Sequence, residues 1–296
     1  MINKILIIGA NGYIGSFLKH QLSNRGYIVD GIGDRYNDYN LLSSDHLSAY
    51  KTIILLAGNS SVSSCQGDLK GPWNNNVRNF KNLADKLNSD QQLIYASSSS
   101  VYGKKNSKVY IEEDMSLEYL NNYDLTKTAL DTVAYNYKEQ NKNIIGLRFG
   151  TVNGSSSIIR TDLMINSMVH DALKNKKIII TNKNISRPIL AIKDLASAVI
   201  EIINGSLSFG IYNLASFNST VEEIANVVNA MTGVVIEDLG QQGEPYDFRI
   251  SSKKFMDTYN FQFKNSIGNI VGDLIESYTK QFPVLVKRNS YYDYKG

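Results

Sequence analysis

Apolar and polar positions along the first half of the chain follow two alternating patterns. Short apolar runs with no helical period fall at 4–8, 27–32, 51–57, 91–97 and 143–149. Runs of that length between turn residues predict buried strands. Longer segments near 75–88 and 121–140 repeat apolar residues at three-and-four spacing, as in Val77, Phe80, Leu83, Ala84 and Leu87, and predict helices. Strands alternating with helices argue an α/β fold with a doubly wound, Rossmann-like parallel sheet. Ligands are then expected beyond the carboxyl ends of the strands.

After Gly150 the rhythm changes. Small and polar residues dominate 153–157. The pattern then predicts helices at 161–175, 194–204, 220–232 and 267–280, with strands at 177–181 and 210–214. Residues 1–153 are expected to form the dinucleotide-type domain, with 188–215 returning to it. A smaller C-terminal substrate-binding lobe is expected from 154–187 and 216–296.

The first strand runs directly into Gly9-Ala10-Asn11-Gly12-Tyr13-Ile14-Gly15, and a helical pattern opens at once. Glycines let the backbone turn tightly against a pyrophosphate, while free N–H groups and the helix dipole face its charge. The candidate contacts are Gly9, Asn11, Gly12, Tyr13, Ile14 and Gly15. The spacing is G-x-x-G-x-x-G rather than G-x-G-x-x-G.

Composition narrows the classes. The chain has 296 residues, 43% hydrophobic and 20% charged, with net charge +3 and interspersed signs. Neither nucleic acid nor a membrane is an expected partner. A single cysteine, Cys65, excludes an internal disulfide and points to a reducing, cytoplasmic setting. No signal peptide and no membrane span is expected. The three histidines, His20, His46 and His170, lack metal-ligand spacing, so neither a metal nor a His-based triad is expected.

Nineteen tyrosines direct attention to phenolic acid–base chemistry. Tyr123 and Lys127 stand one turn apart, and a neighbouring cation favours the phenolate. That spacing alone is weak, since chance gives about one or two such pairs in this composition. Tyr291 and Lys295 form a second pair, to which no function is assigned. Tyr123 gains weight from Ser97-Ser98-Ser99-Ser100-Val101-Tyr102-Gly103, which closes the 91–97 strand. A hydroxyl there can hydrogen-bond a reacting oxygen while the tyrosine moves its proton.

These motifs, with Leu147-Arg148-Phe149 and Arg187-Pro188-Ile-Leu-Ala-Ile-Lys-Asp194, together resemble the extended short-chain dehydrogenase/reductases. More narrowly they resemble the NAD-dependent epimerase/dehydratase family that modifies nucleotide sugars. The resemblance covers nearly the whole chain and weakens after about 235. It implies a catalytic set of Ser98, Tyr123 and Lys127, with Tyr123 and Lys127 also meeting the cofactor. Leu56, Ala57, Gly58 and Asn76 would flank NAD or NADP. A nucleotide-sugar substrate would meet Ser60, Ser98, Ser100, Thr151, Asp162, Leu163, Arg187 and Arg249. Arg148 is expected to anchor the fold through a buried pair. A homodimer through the helices near 76–88 and 121–140 is implied, supported by Tyr119, Val133 and Tyr137, which exceed one buried face.

Departures from the family pattern restrict the chemistry. Ser99 and Ser100 replace the Asp-Glu pair of the dehydratases, which argues against 4,6-dehydration. Ser100 also stands where the 3,5-epimerase/reductases carry cysteine. Ser60 replaces a lysine frequent in 4-epimerases, and no arginine occurs at 240–246, leaving Arg249 as a candidate substitute. At the adenosine ribose, Gly33 occupies the usual acidic position and tilts the reading towards NADP. Asp34 would instead select NAD, and Arg35 a 2′-phosphate. The implied activity is C4 chemistry on a nucleotide sugar, as 4-epimerase or as 4-ketosugar reductase. The rival is a non-catalytic dinucleotide-binding sensor or scaffold, against which the intact Ser98, Tyr123 and Lys127 argue.

Overall fold

The computed structural model describes residues 4–33, 39–103, 109–114 and 119–280, together with the backbone of 284–286. In chain order its elements begin β1 (Lys4–Ile8), α1 (Tyr13–Ser23), β2 (Ile28–Ile32), α2 (Ser44–Ser48) and β3 (Thr52–Leu55). There follow α3 (Lys70–Trp73), a π-helical turn (Asn74–Arg78), α4 (Asn79–Lys86), β4 (Gln92–Ser98) and a 3-10 turn (Ser99–Tyr102). Next come β5 (Val109–Tyr110), α5 (Asn122–Tyr135), β6 (Asn143–Phe149), β7 (Thr151–Asn153), β8 (Ile158–Arg160) and α6 (Met164–Asn175). β9 (Lys177–Ile180), β10 (Ser186–Ala191), α7 (Ile192–Asn204), β11 (Gly210–Leu214), β12 (Phe217–Thr220) and α8 (Val221–Thr232) continue the chain. It closes with β13 (Val235–Asp238), β14 (Arg249–Ile250), α9 (Lys253–Tyr259), α10 (Ile267–Lys280) and β15 (Val284–Val286).

Two compact units form. The first comprises Met1–Gly103, Met115–Arg148 and Val199–Tyr212. Its six-stranded sheet has the order β11-β6-β4-β3-β1-β2, with β1 parallel to both β2 and β3, and β3 parallel to β4. The apolar runs become strands because a parallel sheet is covered on both faces, and Ile5 to Ile8 are all buried. The chain moves from β1 to β2 on one side and to β3 on the other. The carboxyl ends of β1 and β3 therefore flank a topological switch point, where α/β sheets bind ligands.

The second unit comprises Lys104–Asp114, Phe149–Ala198 and Asn213–Gly296. A three-stranded sheet, β12-β10-β7, carries α6, α8 and α10 on a core around Ile165, Val169, Ile189, Ile224 and Leu274. α8 starts on a reciprocal capping box, Thr220 with Glu223, and stops at Gly233 in the left-handed region (φ 71°).

Several sequence expectations are corrected. The helix expected at 75–88 is α3, a widened π turn and α4 in succession, ending at Lys86. The helix expected at 121–140 stops at Tyr135, and α9 forms where no helix was expected. Tyr137 is not a surplus surface aromatic. Its ring packs on Phe80 in the first unit's core, and its hydroxyl donates to Asp85 Oδ1 at 2.6 Å. Val133 packs against the same core, whereas Tyr119 and Tyr135 remain exposed.

Candidate active site

At the switch point the glycine spacing is sterically required. Gly9 has φ +98°, and a Cβ there would lie 2.7 Å from the Ala57 backbone nitrogen. At Gly15 a Cβ would meet the Gly9 carbonyl oxygen at 2.1 Å. The turn closes through Gly12 N–H on Gly9 O at 3.2 Å, and Gly9 N–H on Ile32 O at 2.7 Å. Gly12 caps α1 without a side-chain hydrogen bond, and the first turn carries no acidic residue. A glycine-walled loop feeding an uncapped helix N-terminus fits a dinucleotide pyrophosphate.

The strand expected at 51–57 ends at Leu55, and the residues after it complete the crevice wall. Leu56 and Ala57 both donate backbone N–H groups to Ile8 O, at 2.8 and 2.9 Å. Gly58, at φ +146°, leaves room for Asn76 Oδ1, which would stand 2.6 Å from a Cβ. Asn76 lies in the π-helical turn, a widening that directs its amide inward. Its Oδ1 accepts from Asn59 N at 2.8 Å, and its Nδ2 donates to Asn59 O and Thr126 Oγ1, both at 3.0 Å. Thr126 Oγ1 in turn donates to Tyr123 O. Asn76 thus ties the end of β3 to the helix that carries Tyr123. At the ribose end, a Cβ on Gly33 would collide with Asn11 Cγ at 2.3 Å. Asp34 and Arg35 lie outside the described residues.

Ser98 is the last residue of β4, and Tyr123 and Lys127 stand on the first turns of α5. Asn121 caps that helix, its side chain accepting from Asp124 N. α5 packs on β4 and on the 3-10 turn after it. The buried Lys127 donates from Nζ to Ala96 O at 2.8 Å, and its ammonium lies 6.0 Å from the centre of the Tyr123 ring. Ser98 Oγ accepts from Ser100 N at 3.2 Å and bonds to Ser100 Oγ at 3.0 Å. The arrangement joins a strand-end hydroxyl to a phenol–ammonium pair through one strand and one helix. Such a set can hydrogen-bond an oxygen and exchange its proton.

The register of α5 on the sheet is set by a buried network. Arg148 Nε donates to Asp131 Oδ2 at 2.7 Å and Nη1 to Tyr102 OH at 3.0 Å, while Tyr95 OH donates to Asp131 Oδ1. Burial opposes the Arg148 charge, but Asp131 and Tyr102 outweigh it and raise the pKa above the usual arginine value. Sequence reading anticipated a buried pair at Arg148 but missed Asp131, Tyr95 and Tyr102 as its partners. It also missed Asn59, Thr126 and Asn122, whose Nδ2 donates to Cys65 O at 3.1 Å. The asparagine run 74–76 was the available signal. Ser60, between these tethered residues, is partly exposed.

The second unit holds the other candidates. Thr151 pairs with Ile189 across β7 and β10. Asp162 receives both Nε and Nη2 of Arg160, and Leu163 is the N-cap residue of α6. Arg187, on β10, lies with its guanidinium carbon 5.3 Å from the Tyr246 ring centre. Burial lowers its pKa, with Tyr246 and Asp247 opposing. Arg249 donates Nε to Ser186 Oγ at 3.2 Å and so meets the residue beside Arg187. Among the described residues, no group of three His, Cys, Asp or Glu could hold a metal, and no helix is long and apolar enough to cross a membrane.

Residues 5–215 match the model of the NAD dependent epimerase/dehydratase family. The chain is similar to protein CapI of Staphylococcus aureus, 28% identical over 233 residues, covering 68% of this chain and 69% of that one. It is 26% identical over 207 residues to UDP-glucuronate 4-epimerase 4 of Arabidopsis thaliana, covering 59% of this chain and 47% of the relative. The chain therefore spans about half the length of that relative. Among solved structures it resembles UDP-glucuronic acid 4-epimerase of Bacillus cereus, in complex with UDP-glucuronic acid and NAD. The TM-score is 0.80 at 19% identity, covering 94% of this chain and 99% of that one.

Proposed function

The chain belongs to the NAD dependent epimerase/dehydratase family of enzymes, and we propose that within it the protein inverts C4 of a nucleotide-linked sugar. The observation that supports this most is the bond from Lys127 to Ala96 O, which holds the Tyr123 helix against the strand ending in Ser98. Similarity to UDP-glucuronate 4-epimerase 4, itself a C4-acting enzyme by name, points the same way.

Gly9, Asn11, Gly12, Tyr13, Ile14 and Gly15 would hold the pyrophosphate of NAD, with Leu56, Ala57, Gly58 and Asn76 along its flank. Bound there, NAD would supply a hydride acceptor and donor for C4 of the sugar. Tyr123 removes the proton from the C4 hydroxyl as the hydride leaves, and gives it back when the hydride returns. Lys127 favours the phenolate by its charge. Ser98 hydrogen-bonds the C4 oxygen while it is a carbonyl, with Ser100 holding the serine hydroxyl in place. Arg187 would neutralise the substrate diphosphate, with Ser60, Thr151, Asp162, Leu163 and Arg249 as further candidate contacts.

The experiment is native mass spectrometry of the purified protein, combined with NMR of nucleotide sugars incubated without added cofactor. One retained NAD per chain and interconversion of C4 epimers are expected. A cofactor-free protein that turns over only with added NADPH would replace this reading by a 4-ketosugar reductase. The observation that favours that second reading is Gly33, where Asn11 occupies the space an acidic side chain would need. A homodimer is proposed as well, supported by the exposed Tyr119 and Tyr135 flanking and ending α5; sedimentation at micromolar concentration decides it.

A further inference from the structure

The strand β10 begins with two residues that face different neighbours. Ser186 N donates to Asp247 Oδ1 at 2.8 Å, Phe248 N donates to Ser186 O at 3.2 Å, and Arg249 Nε donates to Ser186 Oγ at 3.2 Å. These bonds fix the segment 247–249 along the start of the strand. Asp247 and Arg249 thus reach Ser186, while the Tyr246 ring meets the next residue, Arg187. The Tyr246 ring is itself held edge-on against Phe248, at 6.1 Å and 80°. Phe248 is buried and meets the buried Tyr110 at 6.3 Å and 76°. A small aromatic cluster therefore sets the ring plane under the guanidinium.

The Arg187 guanidinium makes no hydrogen bond or salt bridge among the described residues; it meets the Tyr246 face and the more distant charge of Asp247. The half-buried guanidinium keeps its five donors unspent within the protein, and bidentate oxyanions satisfy such a group best. A ring face stabilises the cation without consuming any of those donors. The donors thus remain available to a ligand.

We propose that Tyr246 is a positioning residue whose ring face holds the Arg187 guanidinium in one orientation for the diphosphate of a nucleotide-linked ligand. This rests on the reading of Arg187 as the diphosphate contact. Replacing the ring frees the guanidinium to rotate, so the loss falls on the diphosphate and not on the nucleoside. The supplier of the diphosphate is the nucleotide substrate and not the dinucleotide cofactor, and the test has an arm for each.

Calorimetry with UDP, dTDP, GDP and CDP identifies the tightest nucleoside diphosphate, which is then used with its nucleoside and with NADH. Tyr246→Ala is expected to weaken the diphosphate about tenfold and to leave the nucleoside and NADH unchanged. Tyr246→Phe keeps the ring face and should remain within about threefold of wild type. In the Arg187→Gln background, Tyr246→Ala should add little, because the two act through one interaction. Equal loss for nucleoside and diphosphate in Tyr246→Ala would mean general packing and would overturn the proposal. So would loss confined to NADH, or an unchanged diphosphate affinity when Arg187→Gln alone is impaired. If Arg187→Gln is silent too, or none of the four diphosphates binds, the diphosphate reading of Arg187 itself falls.

Discussion

The Lys127 ammonium stands on the carbonyl oxygen of Ala96, 2.8 Å away, two residues before the serine that ends the same strand. One bond therefore sets the spacing between the phenol-bearing helix and the strand-end hydroxyl. It also locates a positive charge 6.0 Å from the centre of the Tyr123 ring.

Tyr123→Phe removes the proposed proton carrier and little volume. Turnover should fall by about 10²–10⁴-fold, the usual worth of a general acid–base group, with cofactor affinity nearly unchanged. Lys127→Met should lower both, since in the proposed site its charge would serve the phenolate and the cofactor alike. Steady-state kinetics with cofactor titration separate the two outcomes; a Tyr123→Phe enzyme within threefold of wild type contradicts the assignment.

Asp131 and Arg148 are both fully buried, and Asp131 also receives Tyr95 OH. Asp131→Asn leaves the guanidinium without its counter-charge, and breaking a buried pair in this way costs about 3–5 kcal/mol. Urea unfolding should report a loss of that order. A change below about 1 kcal/mol would show that the pair is replaceable by neutral contacts.

Gly15→Ala tests the cofactor cradle. The added Cβ would lie 2.1 Å from Gly9 O, inside the turn that the pyrophosphate would approach. Backbone must move, so NAD affinity should drop by about tenfold or more, measured by fluorescence titration. Unchanged affinity would place the pyrophosphate elsewhere.

The strands of the first unit were legible in the sequence because buried parallel strands are apolar runs. The three-part helix 70–86 was not, since a widened turn keeps the same apolar spacing at Val77, Phe80 and Leu83. α9 buries only Phe255, too little for a periodic signal. Tyr123 and Lys127 stood out by their spacing beside the strand-end serine run, and the choice of Ser98 within that run rests on the family resemblance. Tyr246 escaped because its partner Arg187 lies 59 residues earlier in sequence, and only folding of the second unit brings them together. Tyr137 differs for the opposite reason: with one polar atom on a large ring, it fills a core once Asp85 accepts the hydrogen bond from its hydroxyl.

Cofactor choice remains tied to the segment after β2. With NAD retained, Asp34→Ala should weaken NADH and relax rejection of NADPH, and Arg35→Ala should change neither. A larger loss for NADPH than for NADH in Arg35→Ala would favour the reductase. Titration of both variants with both cofactors distinguishes the cases, since a charge-assisted contact to a 2′-phosphate is worth roughly 1.5–3 kcal/mol.

Return of the same hydride to C4 is tested most directly with nucleotide sugars deuterated at C4, incubated with the protein as purified and no added cofactor. NMR should show the C4 epimer appearing with deuterium retained at C4, because the hydride leaves and returns within one site. Washout of the label to solvent, or no epimer from any UDP-, dTDP-, GDP- or CDP-linked hexose, would contradict C4 epimerisation by Ser98, Tyr123 and Lys127.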